Sequence, residues 1–213
     1  MRRRGFMALP FALLAARPAR AADFPLRTTG LHRKGGKLAV SVGVTDIIQP
    51  ADEQRLTSGF ATRVLIRAAL FREGTRQAVA TTYRLADVVY DLWDEKFRVR
   101  RSDARGVLDQ RDALTSREAK ELAADLIQFP VADLSRVIPG EIYRLSFSTD
   151  LNPISQDVIT ELRRWLARPP GQGRLAPGDS FFGSFVSIFV NPHIEDSDRR
   201  IQFISQSWQE PRR

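Results

Sequence analysis

Apolar and polar residues alternate with a period of two along much of the chain, which is the pattern of half-buried β-strands. The alternation is clearest over residues 38–44 and 60–71. In the second run one face is apolar, whereas the other carries Arg63 and Arg67. Residues 73–75, with a central glycine, predict a hairpin turn into another strand. This part of the chain therefore predicts antiparallel β-structure.

A second hairpin is predicted over residues 88–99, folded at Asp94-Glu95. Alternation places Val88, Tyr90 and Leu92 on one face of the first strand. Phe97 and Val99 lie opposite them on the second strand. Trp93 falls at the junction of the two strands. We predict that Trp93 packs with these neighbours, so that its truncation costs the stability of a large core aromatic, about 3–5 kcal/mol, and more than any replacement in the linker over residues 169–173. If it is exposed, we expect it to be a contact residue.

Two segments have the period of helices instead. The first covers residues 115–128, begins with a capping box formed by Thr115 and Glu118, and is predicted to end before Pro130. The second covers residues 154–167 and has its own apolar stripe. Both helices follow strands rather than alternate with them in a regular βαβ order.

Strands over residues 142–149 and 201–208 complete the pattern. Because strands outnumber helices and a βαβ alternation is missing, parallel winding is disfavoured. The predicted fold class is mainly β (α+β), an antiparallel β-sandwich-like domain with two or three added helices.

The N-terminus has the three parts of a signal peptide: a cluster of arginines, an apolar stretch, and small residues at Ala19 and Ala21. We therefore predict a signal peptide over 1–21, an extended segment over 22–37, a single β-rich domain over 38–208 and a short basic tail over 209–213. Residues 3–7 (Arg-Arg-Gly-Phe-Met) also resemble the twin-arginine signal, and ordinary secretion stays open as the alternative route. The expected location is periplasmic or envelope-associated.

The net charge of +8 is concentrated in the predicted leader, which holds five arginines and no acid. The remaining residues carry 28 basic and 25 acidic side chains, a difference of +3, without a dense basic run. Nucleic-acid binding is therefore not expected. The chain has no cysteine, which excludes disulfides, thiol catalysis and cysteine-ligated zinc.

Candidate chemistry is sparse. His193 stands beside Glu195, Asp196 and Asp198, which leaves open a hydrolase that works through carboxylates and a histidine. A nucleophile elbow does not accompany it, so a solvated turn is the favoured interpretation. An acidic cluster at residues 91–95 suggests calcium as an alternative to a plain hairpin tip. We expect no catalytic residue, no metal and no cofactor.

Residues 180–191 combine phenylalanines and aliphatic residues with a narrow strip of small polar ones. As a helix, this segment would be suited to docking on a partner or a lipid surface, and it is too short to span a bilayer. A buried core helix or strand is the alternative. The candidate contact surface comprises Trp93, Phe181, Phe182, Phe185 and Phe189.

The favoured function is that of a non-catalytic, exported envelope module that binds a partner protein or a membrane surface. Two alternatives remain: a hydrolytic enzyme built around the His193 cluster, and a carrier whose phenylalanines line an apolar pocket. No transmembrane span is expected in the mature chain.

Three short motifs carry a resemblance to a known family: residues 90–97 (Tyr-Asp-Leu-Trp-Asp-Glu-Lys-Phe), 139–143 (Pro-Gly-Glu-Ile-Tyr) and 203–207 (Phe-Ile-Ser-Gln-Ser). With these motifs the region from Leu38 to Trp208 resembles the domain of unknown function 4390 family of exported bacterial proteins. The resemblance implies an envelope location and no established activity. It supplies no catalytic residues to carry over.

We predict that the mature protein begins near Ala22, because Ala19-Arg20-Ala21 is the only well-placed small-x-small site after the apolar run. The intact mass of the exported species measures this directly. If export uses the twin-arginine route, Arg3→Lys with Arg4→Lys should trap the precursor inside the cell. Normal export of that double variant would instead indicate ordinary secretion.

Overall fold

The computed structural model describes residues 24–153 and 197–212. In this part of the chain, strands dominate. They are β1 (Leu26–Arg27), β2 (Gly30–Lys34), β3 (Lys37–Val42), β4 (Thr62–Arg72), β5 (Ala78–Asp91), β6 (Lys96–Asp103), β7 (Gly106–Ala113), β8 (Leu126–Asp133), β9 (Ile142–Leu151), β10 (Arg199–Ser205) and β11 (Trp208–Gln209). The α-helices are α1 (Glu53–Leu56) and α2 (Ser116–Ala124), and 3-10 turns cover Thr45–Ile47, Pro50–Asp52 and Leu134–Arg136.

These strands form a large and a small sheet. The large sheet has the order β1-β10-β9-β4-β5-β6-β7, with β11 also paired to β9, and the small sheet has the order β2-β3-β8. Every pair is antiparallel except β1 with β10, which is parallel. The prediction of a mainly β, largely antiparallel fold is therefore confirmed.

One hydrophobic core draws side chains from both sheets and from α2. Val40 of the small sheet and Ile66 of the large sheet are both fully buried in it, as is Ala123 of α2. Phe147 and Phe203, on the neighbouring strands β9 and β10, stack with their ring centroids 4.8 Å apart. Burial of these apolar side chains supplies the main stabilisation of such a domain.

Strand β4 is buried on both faces, although its sequence alternates. The face opposite the core carries Leu65, which is 1% exposed, and Arg67, which is 4% exposed. Arg67 Nη2 donates to Asp150 Oδ2 at 2.7 Å and to Ser148 Oγ at 3.1 Å. Burial lowers the pKa of Arg67, and the adjacent carboxylate opposes that shift. The arginine predicted on the second face is thus part of a buried ion pair.

The predicted helix over 115–128 is too long. Its start is confirmed, because Thr115 Oγ1 accepts from the Glu118 N–H at 3.2 Å. Helix α2 nevertheless ends at Ala124, and the following residues, including Pro130, form β8 against β3. Pairing with β3 therefore determines the structure of these residues, although their sequence has a helical period. Pro130 is tolerated because β8 is an edge strand within the described residues.

Three strands, β1, β2 and β7, lie where the sequence pattern did not predict strands. The segment predicted as extended, 22–37, contains β1 and β2, and strand β7 was not predicted. Strand β5 runs unbroken for 14 residues, where two shorter strands were expected. The predicted signal peptide, the predicted helix over 154–167 and the segment 180–191 lie outside the described residues.

A buried arginine joins α2 to the large sheet. Arg84 on β5 is 3% exposed, and it donates from Nη1 to the Asp125 carbonyl at 2.7 Å and from Nη2 to the Ala123 carbonyl at 2.8 Å. These carbonyls close α2, where the helix dipole favours a cation. Burial lowers the pKa of Arg84 to about 10, so the guanidinium remains charged at neutral pH.

We predict that Arg84→Met lowers the free energy of unfolding by about 1.5–3 kcal/mol, because it removes charge-assisted hydrogen bonds to buried carbonyls. Urea denaturation measures the loss. The control is Arg111→Met on β7, whose side chain is 60% exposed and whose loss should change stability by about 0.5 kcal/mol or less. Equal stability of the two variants would contradict this role for Arg84.

Candidate functional site

The turn between β5 and β6 presents large apolar side chains to solvent. Trp93 is 95% exposed and Leu92 is 63% exposed. Phe60, immediately before β4, is 76% exposed. We call Phe60, Leu92 and Trp93 the apolar tip. They lie at one end of the large sheet, since Thr62 at the start of β4 pairs with Val88 near the end of β5.

The loop before β4 contacts this turn directly. A methyl group built on Gly59 would lie 3.3 Å from Leu92 Cδ1, and the φ angle of Gly59 is +82°. A side chain is disfavoured there both by the left-handed backbone and by the close approach of Leu92. Gly59 therefore allows the loop that carries Phe60 to lie beside Leu92.

The carboxylate of Asp91 braces the turn. Its Oδ1 accepts from the backbone N–H of Trp93 at 3.0 Å and from that of Asp94 at 3.1 Å, the geometry by which aspartate stabilises tight turns. These N–H donors, that of Asp94 first, hold the pKa of Asp91 below its usual range, and Arg98 acts in the same direction. Asp91 thus remains ionised, and its turn remains hydrogen-bonded, at neutral pH.

Ion pairs on β6 and β7 flank the turn. Arg98 Nη2 lies 2.7 Å from Asp91 Oδ2 and 3.0 Å from Asp94 Oδ2. Lys96 Nζ lies 2.8 Å from Asp112 Oδ2, and this hydrogen bond is the main cause that raises the pKa of Lys96. With Glu95, which is exposed, the surroundings of the apolar tip hold four acids and two bases.

A pair of packed aromatic rings lies beneath the apolar tip. Tyr90 and Phe97 face each other across the hairpin, with ring centroids 4.8 Å apart and planes inclined by 53°. Phe97 is 3% exposed and belongs to the core. The hairpin is therefore anchored in the core up to the last paired residues, Asp91 and Lys96.

The expectation that Trp93 packs with its neighbours is wrong. The strand alternation stops at Asp91, and the turn that follows carries Leu92 and Trp93 away from the sheet. The turn-forming aspartate was the sequence signal for this, since Asp91 precedes Trp93 by two residues. Trp93 stays a predicted contact residue, and the other predicted ones, Phe181, Phe182, Phe185 and Phe189, lie outside the described residues.

The acidic cluster beside the tip is occupied by protein partners. Asp91 and Asp94 both bind Arg98, so their oxygens serve ion pairs rather than form an open cage. Within residues 24–153 and 197–212, no group of three or more acids and histidines is arranged to hold a metal ion. Calcium binding at this turn therefore has no geometric support.

His32 lies 2.9 Å from Ser41 Oγ through its Nε2, a distance that suits a base and a nucleophile. The same hydroxyl accepts from the Gln128 N–H at 2.9 Å. Ser41 thus links three neighbouring strands of the small sheet, and none of the hydrogen bonds among the described residues orients the other ring nitrogen of His32. The pair is a structural bridge. His193 and its acidic neighbours, except Asp198, lie outside the described residues.

The chain matches a family of unknown function. The profile described as Domain of unknown function (DUF4390) matches residues 21–155, more than half of the chain. Comparisons with curated proteins and with solved structures found no match. Among the described residues, none of the helices is both long enough and apolar enough to cross a membrane.

We predict that Trp93→Ala changes the free energy of unfolding by about 0.5 kcal/mol or less, because its side chain is already in water. Phe97→Ala, four residues away, should cost about 3–5 kcal/mol as a core truncation. Urea denaturation of both variants measures the difference. A loss for Trp93→Ala comparable with that for Phe97→Ala would mean that Trp93 is buried in solution.

Proposed function

The chain belongs to the domain of unknown function 4390 family, and we propose that it is an exported, non-catalytic module that binds a partner protein of the cell envelope through the apolar tip. The observation that carries this proposal is the near-complete exposure of Trp93 on a braced turn. An exposed tryptophan contributes nothing to the core, but it is the side chain most suited to anchoring a protein interface.

Preorganisation of the turn supports this role. Asp91 and Arg98 hold the backbone and the flanking carboxylates in place, so little conformational entropy remains to be lost when Trp93 enters a pocket. Binding by a rigid turn is stronger than binding by a loop that must first be ordered. The apolar tip therefore combines hydrophobic area with a fixed geometry.

Three of the edge strands, β1, β7 and β8, are poor alternatives for docking. Strand β1 is only two residues long, and β7 carries a bulge opposite Arg101 and Ser102 together with three charged residues. Strand β8 contains Pro130. Short strands, bulges, charges and prolines are the devices that keep edges from pairing with other chains. Recognition through a side-chain tip agrees with such protected edges.

The charges around the tip favour a protein over a lipid surface. Four acids and two bases surround it, and an anionic leaflet attracts clusters of lysine and arginine instead. The partner that fits has an apolar pocket for Trp93 and basic groups at its rim, since complementary charge suppresses wrong partners.

Export is supported by the sequence pattern of residues 1–21. The sandwich-like architecture is supported by a core shared between the large and the small sheet. A hydrolytic role has less support, because the His32–Ser41 pair is a bridge between strands, and the Asp150 carboxylate that accepts from Ser197 Oγ at 3.4 Å is already paired with Arg67 and Arg200.

The test compares the mature wild type with Trp93→Ala and with Arg105→Ala, a control at the β6–β7 turn whose side chain is 68% exposed. An envelope protein that copurifies with the wild type is purified and titrated against all three. We expect Trp93→Ala to weaken binding by about thirtyfold or more, the effect of losing a hot-spot residue. Arg105→Ala should bind like the wild type.

Flotation with vesicles of zwitterionic lipid, with and without anionic lipid, tests whether the apolar tip binds a lipid surface instead. Flotation of the wild type with either vesicle, abolished by Trp93→Ala, would replace the protein partner with a lipid surface. A purified partner that binds Trp93→Ala and the wild type equally would refute the role of the apolar tip.

A further inference from the structure

A surface cleft opens at the other end of the large sheet from the apolar tip. Its volume is about 370 Å³. It lies between the β4–β5 hairpin turn, the start of β9 and the link from β10 to β11. Its lining among the described residues includes Glu73, Arg76, Ile142, Arg144 and Ser207.

The cleft has a basic side without a matching carboxylate. Arg144 donates from Nε at 3.1 Å and from Nη2 at 2.8 Å to the neutral hydroxyl of Ser207. Among the described residues neither Arg144 nor Arg76 forms an ion pair, whereas most other arginines of the large sheet do. Ser207 fixes one edge of the Arg144 guanidinium, and the remaining N–H groups are left for a ligand.

Ile142 supplies the accessible apolar surface of the cleft, because the other large apolar lining residues, Phe71 and Tyr143, are buried. Tyr143 is fully buried, and its hydroxyl accepts from the Ile138 N–H at 2.8 Å. Trp208 packs beside Tyr143 with ring centroids 6.0 Å apart. Ile142, at the start of β9, is 38% exposed in the wall. A charged group at one side and an apolar wall at the other select a ligand that has both characters.

We propose that this cleft binds a carboxylate at the end of a short apolar chain. The carboxylate pairs with the guanidinium of Arg144, assisted by Arg76, and the apolar chain lies along the exposed side chain of Ile142. The volume is at the lower end of the range of about 300–1,000 Å³ that holds small ligands, which limits the length of the chain. Two sources share this chemistry: a medium-chain fatty acid and the C-terminus of an apolar peptide.

Glu73 sharpens the selection. It is the one acid among the described lining residues, so a ligand with a second negative charge near the turn is repelled. A monocarboxylate is therefore favoured over a dicarboxylate or a phosphate diester with further charges. The cleft does not include the apolar tip, so ligand binding in it can be tested independently of the proposed function.

The test uses isothermal titration calorimetry on the mature chain with four probes: octanoate, 1-octanol, N-acetyl-leucyl-phenylalanine and its C-terminal amide. We expect binding by at least one carboxylate, and at least tenfold weaker binding by its neutral counterpart. Arg144→Gln should weaken the carboxylate at least tenfold. Arg117→Gln on α2, with a side chain 89% exposed, is the matched control and should bind like the wild type.

The outcomes separate clearly. Octanoate alone identifies the fatty acid as the source, and the dipeptide alone identifies a peptide C-terminus. If Arg144→Gln does not fold, Arg76→Gln tests the exposed second guanidinium and should also weaken binding. The proposal is overturned if neither carboxylate binds, if the neutral counterparts bind as tightly, or if the cleft variants bind like Arg117→Gln.

Discussion

The architecture depends on the buried guanidinium of Arg84. It reaches from β5 to the carbonyls of Ala123 and Asp125, which are the groups that α2 leaves without intrahelical partners at its end. Strand β8 starts at the next residue, Leu126, and pairs with β3. One side chain of the large sheet therefore fixes both the end of the helix and the start of β8 in the small sheet. Its burial is compatible with a positive charge because carbonyl dipoles replace the lost water.

The apolar tip follows the opposite physical logic. Leu92 and Trp93 lie in water, where they add nothing to stability, yet hydrogen bonds to Asp91 and ion pairs with Arg98 hold their turn. Ordering the turn with ion pairs has no benefit for an exposed side chain that makes no contacts. It is useful for a side chain that must be presented in one conformation, because the entropy of ordering is then lost on folding and not on binding.

The strands that face the core were predictable, because alternation is a local property: residues 38–44 and 60–71 contain most of β3 and most of β4. The features that were predicted wrongly depend on residues far away in the sequence. Arg67 is buried through an aspartate 83 residues away, and β8 is a strand because β3 lies beside it. Trp93 was misplaced for a different reason, since alternation was extended past the turn-forming Asp91. Of the apolar tip, only Trp93 was among the predicted contact residues, whereas Phe60 and Leu92 were assigned to predicted strands.

Strand β4 separates the two candidate sites. It has 11 residues, and at about 3.3 Å per residue it spans roughly 35 Å between the apolar tip at its start and the cleft at its end. A contact at one end therefore leaves the other end open. The two sites also differ in charge, since acids surround the tip whereas unpaired arginines line the cleft. A partner held at the tip and a carboxylate held in the cleft would bind this domain at the same time without competing, unless the large sheet itself transmits strain between them.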